Sequence, residues 1–204
     1  PLGFCGQTSF ALTLAQILGR EKSVLYLNME EYSGFEELFE KEYPYTLGDL
    51  LYFVRQEQAG ITVKMNSMIQ SMGSMDFIPP VQFPEDIRGT RWQDWECLLQ
   101  EIILHSSYEA VVLDVGDGIE DVFQILELCT RVYMPVRDDR ISKCKLEQFE
   151  KLLRLRDYSQ LLAGIEKVVL PILSQNTDNA FRVEELVWSE LGDFVRELLE
   201  KEKI

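Results

Sequence analysis

Short apolar runs alternate along the chain with stretches in which apolar residues recur every three or four positions. The short runs predict buried strands over 23–28, 75–78, 110–115, 132–136 and 168–173. The periodic stretches predict helices over 10–18, 50–56, 63–72, 92–105, 120–129, 141–156 and 184–203. Strands that alternate with helices are typical of βαβ units, in which a mostly parallel sheet carries helices on both faces. We therefore predict a single three-layer α/β domain over residues 1–204.

Three local signals set the boundaries of these elements. Thr46 precedes Asp49 by three residues, the spacing of a capping box at the start of helix 50–56. Gly73 is placed to end the helix 63–72, because glycine readily adopts the left-handed conformation found after helices. The polar residues 174–180 predict a loop.

Composition and charge exclude several classes of function. The chain has 35 acidic and 20 basic residues and a formal net charge of −15. It therefore lacks the positive charge that non-specific DNA binding or docking on anionic lipid requires. No apolar run approaches the roughly 20 residues of a membrane span, and no signal peptide pattern is visible. We expect no DNA partner and no direct membrane insertion.

The cysteines indicate a reducing compartment. Cys5, Cys97, Cys129 and Cys144 are scattered, without a C-x-x-C pair, which predicts free, small, buried thiols. We expect a cytoplasmic protein that partners recruit to a membrane or a cell pole.

The first nine residues, PLGFCGQTS, resemble a phosphate-binding loop without its lysine. In the pattern G-x-x-x-x-G-K-[ST], backbone N–H groups cradle phosphates, the lysine reaches the outer phosphates and the hydroxyl binds Mg²⁺. Gly6 and Thr8 occupy the positions of the second glycine and the hydroxyl, whereas Gln7 replaces the lysine and Pro1 the first glycine. The apolar helix that follows places the loop at a helix N-terminus, where anions bind. We therefore expect a loop that keeps the geometry of a phosphate site but lacks the positive charge of its lysine.

Asp114 is the second candidate site residue, because it lies at the end of the strand 110–115 and is followed by Gly116 and Gly118. Ligands of doubly wound sheets bind outside the carboxyl ends of the strands. A carboxylate there, beside a phosphate loop, is placed to hold Mg²⁺ directly or through water. We therefore predict Thr8 and Asp114 as ligands of Mg²⁺, and the alternative is an aspartate that only begins a turn.

A weaker signal follows the strand 23–28, where Asn28 and Glu30 carry polar side chains. A carboxylate at this point is placed to position water or contact Mg²⁺, as a nucleotide-dependent switch does. A solvated loop explains the same residues equally well.

A phosphate loop normally follows a buried strand, and no strand precedes Pro1. The sequence also begins without methionine. We expect the 204 residues to be part of a longer protein, with an upstream core strand and a receiver-like domain before it.

The order of these elements resembles the MinD/ParA class of P-loop proteins, whose deviant Walker motif is K-G-G-x-G-K-[ST]. The chain is most similar to the CpaE/TadZ-like branch, in the passages VLYLNMEEYSGFEELF, TLGDLLYFVRQ, FIPP, PEDI and YEAVVLDVGDG. On the deviant motif, Leu2 falls on the signature lysine, Gly3 and Gly6 on glycines, Gln7 on the loop lysine, and Thr8 and Ser9 on hydroxyls.

The resemblance implies a P-loop NTPase (Rossmann-like) domain that binds ATP or ADP with Mg²⁺ and forms a homodimer. It implies a role as a localisation or assembly factor of a pilus or secretion system. The nucleotide-binding residues carried over are Gly3, Phe4, Cys5, Gly6, Gln7, Thr8 and Ser9. Because Leu2 and Gln7 replace both cations, we expect weakened binding and little or no hydrolysis.

Two alternatives stay open. An active ATPase would need a cation from a partner or from elsewhere in the chain, with Arg20, Arg88 and Arg91 as candidates. A purely structural scaffold would bind no nucleotide.

Two further readings are disfavoured. Cys97 and Cys129 lie in apolar helical contexts, which speaks against a bridging iron–sulfur cluster. The C-terminal helix mixes acidic and basic residues on its polar face, which predicts packing on the domain or a partner and not membrane binding.

Overall fold

The computed structural model describes residues 6–56, 60–171 and 181–202. Its strands are β1 (Val24–Met29), β2 (Gln70–Met72), β3 (Met75–Ile78), β4 (Ala110–Val115), β5 (Val132–Val136) and β6 (Ile165–Val169). Its helices are α1 (Gln7–Leu18), α2 (Phe35–Phe39), α3 (Leu47–Arg55), α4 (Ile61–Asn66), α5 (Pro84–Arg88), α6 (Trp92–His105), α7 (Val122–Leu128), α8 (Arg140–Leu155), α9 (Ser159–Gly164), α10 (Val183–Leu186) and α11 (Glu190–Glu202).

The strands form a mostly parallel arrangement, as predicted. Four of them make one sheet in the order β2-β3-β1-β4, in which β1 pairs in parallel with β3 and β4, and β2 pairs with β3 in the antiparallel sense. The strands β5 and β6 pair with each other in parallel as a separate two-stranded unit.

Helices cover both faces of the four-stranded sheet because the side chains of β1 alternate between two apolar layers. Val24 and Tyr26 pack in the layer that contains α1, α10 and α11. Leu25 and Leu27 pack on the opposite side, in the layer that contains α3 and α6. The α/β fold with helices on both faces is therefore confirmed, and the carboxyl ends of β1 and β4 lie at one edge of the sheet.

The predicted helix 63–72 is wrong in its second half. Helix α4 ends at Asn66, and residues Gln70–Met72 form β2. Gly73 has a φ of 59° and lies first in the two-residue loop between Met72 and Met75, the placement of glycine in a type II′ hairpin turn. The glycine that was predicted to end a helix therefore turns a hairpin.

The predicted strand 168–173 begins three residues too late. Strand β6 covers Ile165–Val169, and its exposed Glu166 and Lys167 interrupt the apolar pattern that the prediction relied on. Lys167 forms an ion pair with Glu150 of α8, so the polar face of this strand has a partner. Residues 172–173 and the predicted loop 174–180 lie outside the described ranges.

The predicted helix 184–203 is two helices, α10 and α11. The break lies at Ser189, whose carbonyl accepts the N–H of Asp193 and whose hydroxyl accepts the N–H of Gly192. Serine favours such helix starts because its side chain replaces a missing hydrogen-bond partner. The short helices α2, α5 and α9 were not predicted, because five or six residues carry no clear period.

The apolar face of α11 packs on the domain. Leu191, Val195 and Leu198 are buried in the layer that contains α1, so the predicted packing of this helix is confirmed. The prediction of buried thiols is wrong for Cys97 and Cys144, which are exposed.

The capping box at α3 is formed as predicted, and its loss should destabilise the fold. The N–H of Thr46 donates to Asp49 Oδ2 at 2.8 Å, and the Thr46 side chain is buried. We expect Thr46→Ala to lower the free energy of unfolding by about 1 kcal/mol, measured by urea denaturation. A double-mutant cycle with Asp49→Ala should show non-additive losses. Simple additivity would contradict a coupled box.

Candidate functional site

The candidate loop enters α1 through a left-handed residue. Gly6 precedes the helix with a φ of 79°, a conformation that glycine adopts without strain. The N–H groups of Gln7, Thr8 and Ser9 lie in the first turn, where an α-helix offers no internal acceptors. The start of the helix therefore offers backbone donors that have no acceptor within the helix itself, as an anion site needs. The predicted site residues Gly3, Phe4 and Cys5 lie outside the described ranges.

The side chain of Gln7 turns toward the end of β4. Its Nε2 donates to Asp114 Oδ1 at 2.7 Å and to the carbonyl of Val115 at 2.9 Å. Both amide hydrogens of Gln7 therefore have protein acceptors. The residue in the lysine position of the loop is therefore hydrogen-bonded to the aspartate near the end of β4.

Asp114 is buried, with 1% of its surface exposed, and three side chains donate to it. The Tyr26 hydroxyl donates to Asp114 Oδ2 at 2.9 Å, and Asn28 Nδ2 reaches the same oxygen at 3.3 Å. The pairing of β1 with β4 places Asn28 directly beside Asp114. Together with Gln7, these uncharged donors satisfy both carboxylate oxygens.

The network continues to the first turn of α1 through Glu30. The Thr8 hydroxyl donates to Glu30 Oε2 at 2.9 Å, and the N–H of Glu30 donates to Asn28 Oδ1 at 3.0 Å. The group of Gln7, Thr8, Tyr26, Asn28, Glu30 and Asp114 is called the carboxylate cluster below. The structure brings together five residues that the sequence singled out, all except Tyr26.

Burial shapes the electrostatics of the cluster. Burial raises the pKa of Asp114, and the hydrogen bonds from Gln7 and Tyr26 oppose that rise. Burial also raises the pKa of Glu30, and the nearby charge of Asp114 raises it further. The pKa of the Tyr26 hydroxyl is raised well above its usual value by burial and by Asp114, so tyrosine stays a hydrogen-bond donor. Two carboxyl groups thus share a site with donors that carry no charge.

A close approach of two loops completes the site. A Cβ atom on Gly116 would lie 2.8 Å from the Cα of Glu30, so only glycine lets the loop after β4 pass so near the loop after β1. One residue further, Glu31 packs against Gly118 and forms an ion pair with Arg88, with Nε to Oε1 at 2.7 Å.

The other two candidate arginines have different surroundings. The guanidinium of Arg20 lies 4.7 Å from the ring centroid of Trp188, beyond the C-terminal end of α1. The 12-residue helix separates it from the loop by roughly 18 Å. Arg91 precedes α6, and its backbone N–H donates to Asp94.

Tyr26 is the member of the cluster that sequence reasoning missed. It lies inside the predicted buried strand 23–28, where an aromatic side chain is typical of the apolar core. Its position two residues before Asn28 puts both side chains on the same face of β1, which is the signal that would have identified it.

The cluster offers oxygen ligands of the kind that Mg²⁺ prefers, namely a hydroxyl and two carboxylates. Asp114 already accepts three hydrogen bonds, so water-mediated contact with an ion disturbs it least. The Glu30 carboxylate lies within hydrogen-bond distance of the Thr8 hydroxyl. Within the described ranges, no group of three or more histidine, cysteine or acidic side chains is arranged to hold a metal ion without added ligands.

Comparisons with known proteins identify the fold. No protein-family model and no curated protein matches the chain. A ParA family ATPase from Chlorobium tepidum superposes with a TM-score of 0.62 and 19% identity, over 91% of this chain and 77% of that one. The MinC:MinD cell division protein complex of Aquifex aeolicus gives a TM-score of 0.60 and 17% identity, over 99% and 86%.

A third solved structure is similar over nearly its whole length. It is a putative plasmid partition protein from Borrelia burgdorferi B31 bound to AMPPNP, with a TM-score of 0.59 and 16% identity, over 99% of this chain and 96% of that one. The chain therefore has the P-loop fold of the ParA and MinD ATPases. Across the residues with described positions, no helix has both the length and the apolar character needed to cross a bilayer.

The raised pKa of Glu30 predicts a pH-dependent gain of stability in Glu30→Gln. Between the unfolded and folded pKa values, the native state binds more protons than the unfolded state, so ionisation of Glu30 costs stability as the pH rises. Glutamine cannot ionise. The variant should exceed the unmodified chain in free energy of unfolding at pH 8, and the difference should shrink toward pH 4.

The matched control is Glu37→Gln, which removes the same charge from an exposed position. Urea denaturation at both pH values separates the two variants. An equal gain in both would mean that net charge, and not the cluster, causes the effect.

Proposed function

We propose that the chain is a degenerate MinD/ParA-like P-loop protein that binds nucleotide weakly and hydrolyses it little or not at all. In this proposal it acts as a localisation or assembly factor of a pilus or secretion system. The fold supports the class of protein, and the carboxylate cluster supports the loss of activity.

The observation that carries the proposal is the pair of hydrogen bonds from Gln7 to Asp114 and to the Val115 carbonyl. A P-loop lysine adds a positive charge that neutralises phosphate oxygens in the ground state and stabilises the transferring phosphoryl group. Gln7 adds no charge, and its amide is turned toward protein acceptors. A triphosphate would therefore meet backbone N–H groups beside the carboxylates of Glu30 and Asp114.

The remaining affinity comes from the start of α1. The N–H groups of Gln7, Thr8 and Ser9, which have no acceptor within the helix, and the helix dipole favour a phosphate group there. Mg²⁺ bound with the nucleotide would offset the negative charge of the cluster, with Thr8 and Asp114 as the proposed ligands and Glu30 as the switch residue beside them. The AMPPNP bound in the Borrelia relative supports ATP or ADP as the class of ligand.

The role in assembly rests on the sequence resemblance to the CpaE/TadZ-like branch. The MinC:MinD complex among the structural relatives shows that a protein of this fold has a protein partner. We propose a homodimer in the cytoplasm, which partners recruit to a membrane or pole. Loss of pili or of secretion after deletion of the gene in its source organism would test this role, and normal assembly would contradict it.

Restoring the loop cation should strengthen nucleotide binding. We expect Gln7→Lys to raise the affinity for ATP with Mg²⁺ by about 10- to 100-fold, because one charged hydrogen bond contributes on the order of 1.5–3 kcal/mol. Isothermal titration calorimetry measures the change. Gln56→Lys adds the same charge at an exposed position after α3 and should leave the affinity unchanged.

The outcomes separate the proposal from its alternatives. Equal gains in both variants would show that net charge, and not the loop position, controls binding. No heat and no thermal shift with either protein would favour a scaffold that binds no nucleotide.

An active ATPase with a recruited cation is the second candidate, and one observation favours it. Arg88 lies on α5, is exposed, and pairs with Glu31, whose side chain packs against Gly118. A nucleotide at the edge of the sheet would compete with Glu31 for this guanidinium, which binds phosphate through paired N–H groups. Arg20 has no such placement, because it stacks on Trp188.

A further inference from the structure

Helix α8 contacts the domain along one narrow face. Of its 16 residues only Leu153 is buried. Leu146 and Phe149 are half-buried and pack in the same apolar layer. The rings of Phe149 and of Phe123 in α7 meet edge to face, with their centroids 5.9 Å apart. These contacts hold the helix in place and leave most of its surface in water.

A second row of side chains runs along an exposed side of α8. Ile141, Gln148 and Leu155 recur every seven residues, which is close to two helical turns, so they lie in one line. Ile141 is 71% exposed and Leu155 is 72% exposed. Cys144 and Leu152 lie beside this line and are exposed as well. These five residues are called the α8 seam below, and they extend over about 21 Å of the helix.

The seam gives α8 apolar residues on two faces. Helices with that pattern are usually covered on both sides. Within the described ranges, only the face of Leu153 is covered by the domain. Single exposed apolar residues are common on protein surfaces, but these are aligned along one helix. The second face therefore has the character of a contact surface.

The charges around the seam are positive, although the chain as a whole is strongly acidic. Residues 137–156 hold seven basic and four acidic residues, whereas the whole chain holds 20 and 35. Three of the four acidic residues already form ion pairs within this segment, namely Asp138, Asp139 and Glu150. The local excess of positive charge is therefore not neutralised by these neighbours.

Three cations flank the seam directly. Arg140, Lys145 and Lys151 are exposed, and in the part of the chain that the structure describes they form no ion pair. Lys145 lies on one side of the seam, and Arg140 and Lys151 lie on the other, because each residue advances about 100° around the helix. An approaching partner meets an apolar line between positive edges, which is complementary to an apolar line between negative edges.

The spacing favours a helix of another protein over a bilayer. A row at seven-residue intervals is the line along which a second helix packs in a coiled coil, and a polar residue within it fixes the register. Gln148 occupies that place. Against acyl chains the amide of Gln148 would have no hydrogen-bond partner. The formal net charge of −15 also opposes approach to anionic lipid.

The same charges disfavour a symmetric pair of α8 helices. A two-fold axis places the same surface of both copies in contact. An antiparallel pair centred on Gln148 would bring Lys145 of one copy against Lys151 of the other. Like charges in direct opposition weaken association. The seam therefore fits an acidic helix better than a second copy of itself.

We propose that the α8 seam is a docking surface for an acidic amphipathic helix of another protein. The partner lies along α8 for about four turns. Its apolar residues pack on Ile141, Leu152 and Leu155, and its carboxylates meet the three flanking cations. The proposal does not depend on nucleotide binding or hydrolysis.

A synthetic acidic helix tests the proposal. The probe is a fluorescein-labelled peptide of three heptads, each Glu-Ile-Glu-Ala-Leu-Glu-Ala, and fluorescence anisotropy follows its binding to the 204-residue chain. Leu155→Ser and Lys151→Glu should each weaken binding by at least about tenfold, because one removes an apolar contact and the other reverses a charge. Both residues are exposed, so neither change removes core packing.

The matched controls make similar changes on other helices. Val63→Ser on α4 and Lys201→Glu on α11 alter exposed positions and should leave binding unchanged. A peptide with lysine in place of every glutamate should not bind. Equal losses in the seam and control variants, equal binding of the two peptides, or no binding at about 1 mM of the acidic peptide would overturn the proposal.

Two further measurements distinguish the other occupants. Binding to vesicles of phosphatidylcholine and phosphatidylserine that Leu155→Ser abolishes would assign the seam to lipid. A mass in sedimentation equilibrium that rises with the concentration of the chain alone, and no longer does so in Leu155→Ser, would assign it to a second copy. Either result would overturn the proposal, and we expect neither.

Discussion

The functional end of this molecule depends on the register between β1 and β4, which places Asn28 beside Asp114. Because side chains alternate along a strand, the same register puts Tyr26 on the face of Asp114. The pairing of these two strands alone therefore gives the buried Asp114 carboxylate two uncharged donors, the Tyr26 hydroxyl and the Asn28 amide. A shift of the strand register by one residue would turn the Asp114 side chain toward the opposite apolar layer, away from Tyr26 and Asn28.

Gln7 supplies the remaining donor without adding charge. Its two amide hydrogens join the start of α1 to the end of β4, which is a structural task that a lysine ammonium can also perform. Glutamine in this position therefore joins the two elements without the positive charge that phosphate binding and phosphoryl transfer use most. The Glu30 carboxyl group lies close to both Thr8 and Asp114 and adds a second acidic side chain to the same place.

The fold was largely predictable because its strands are short and predominantly apolar. The strands 75–78, 110–115 and 132–136 were predicted with the bounds that the structure shows. The error at residues 70–73 arose because the pairing of β2 with β3 overrides the local sequence pattern. Gly73 fits a helix end and a hairpin equally well, and only the distant partner β3 decides between them.

The sequence was enough to predict which residues form the site, but it did not predict the hydrogen bonds between them. Motif spacing identified Gln7 and Thr8, and the positions at strand ends identified Asp114 and Glu30. The partner of the Asp114 carboxylate, Tyr26, lies 88 positions away in sequence, so no local pattern connects them. The direction of the Gln7 side chain also depends on that long-range geometry.

We propose that this loop holds nucleotide without turning it over, because Gln7 brings no positive charge to the transferring phosphate. The direct measurement is the rate of phosphate release from ATP with Mg²⁺, per chain, over a wide range of protein concentration. We expect a rate at the background level that does not depend on concentration. A rate per chain that rises steeply with concentration, and that is lost in Asp114→Ala or Arg88→Ala, would contradict it.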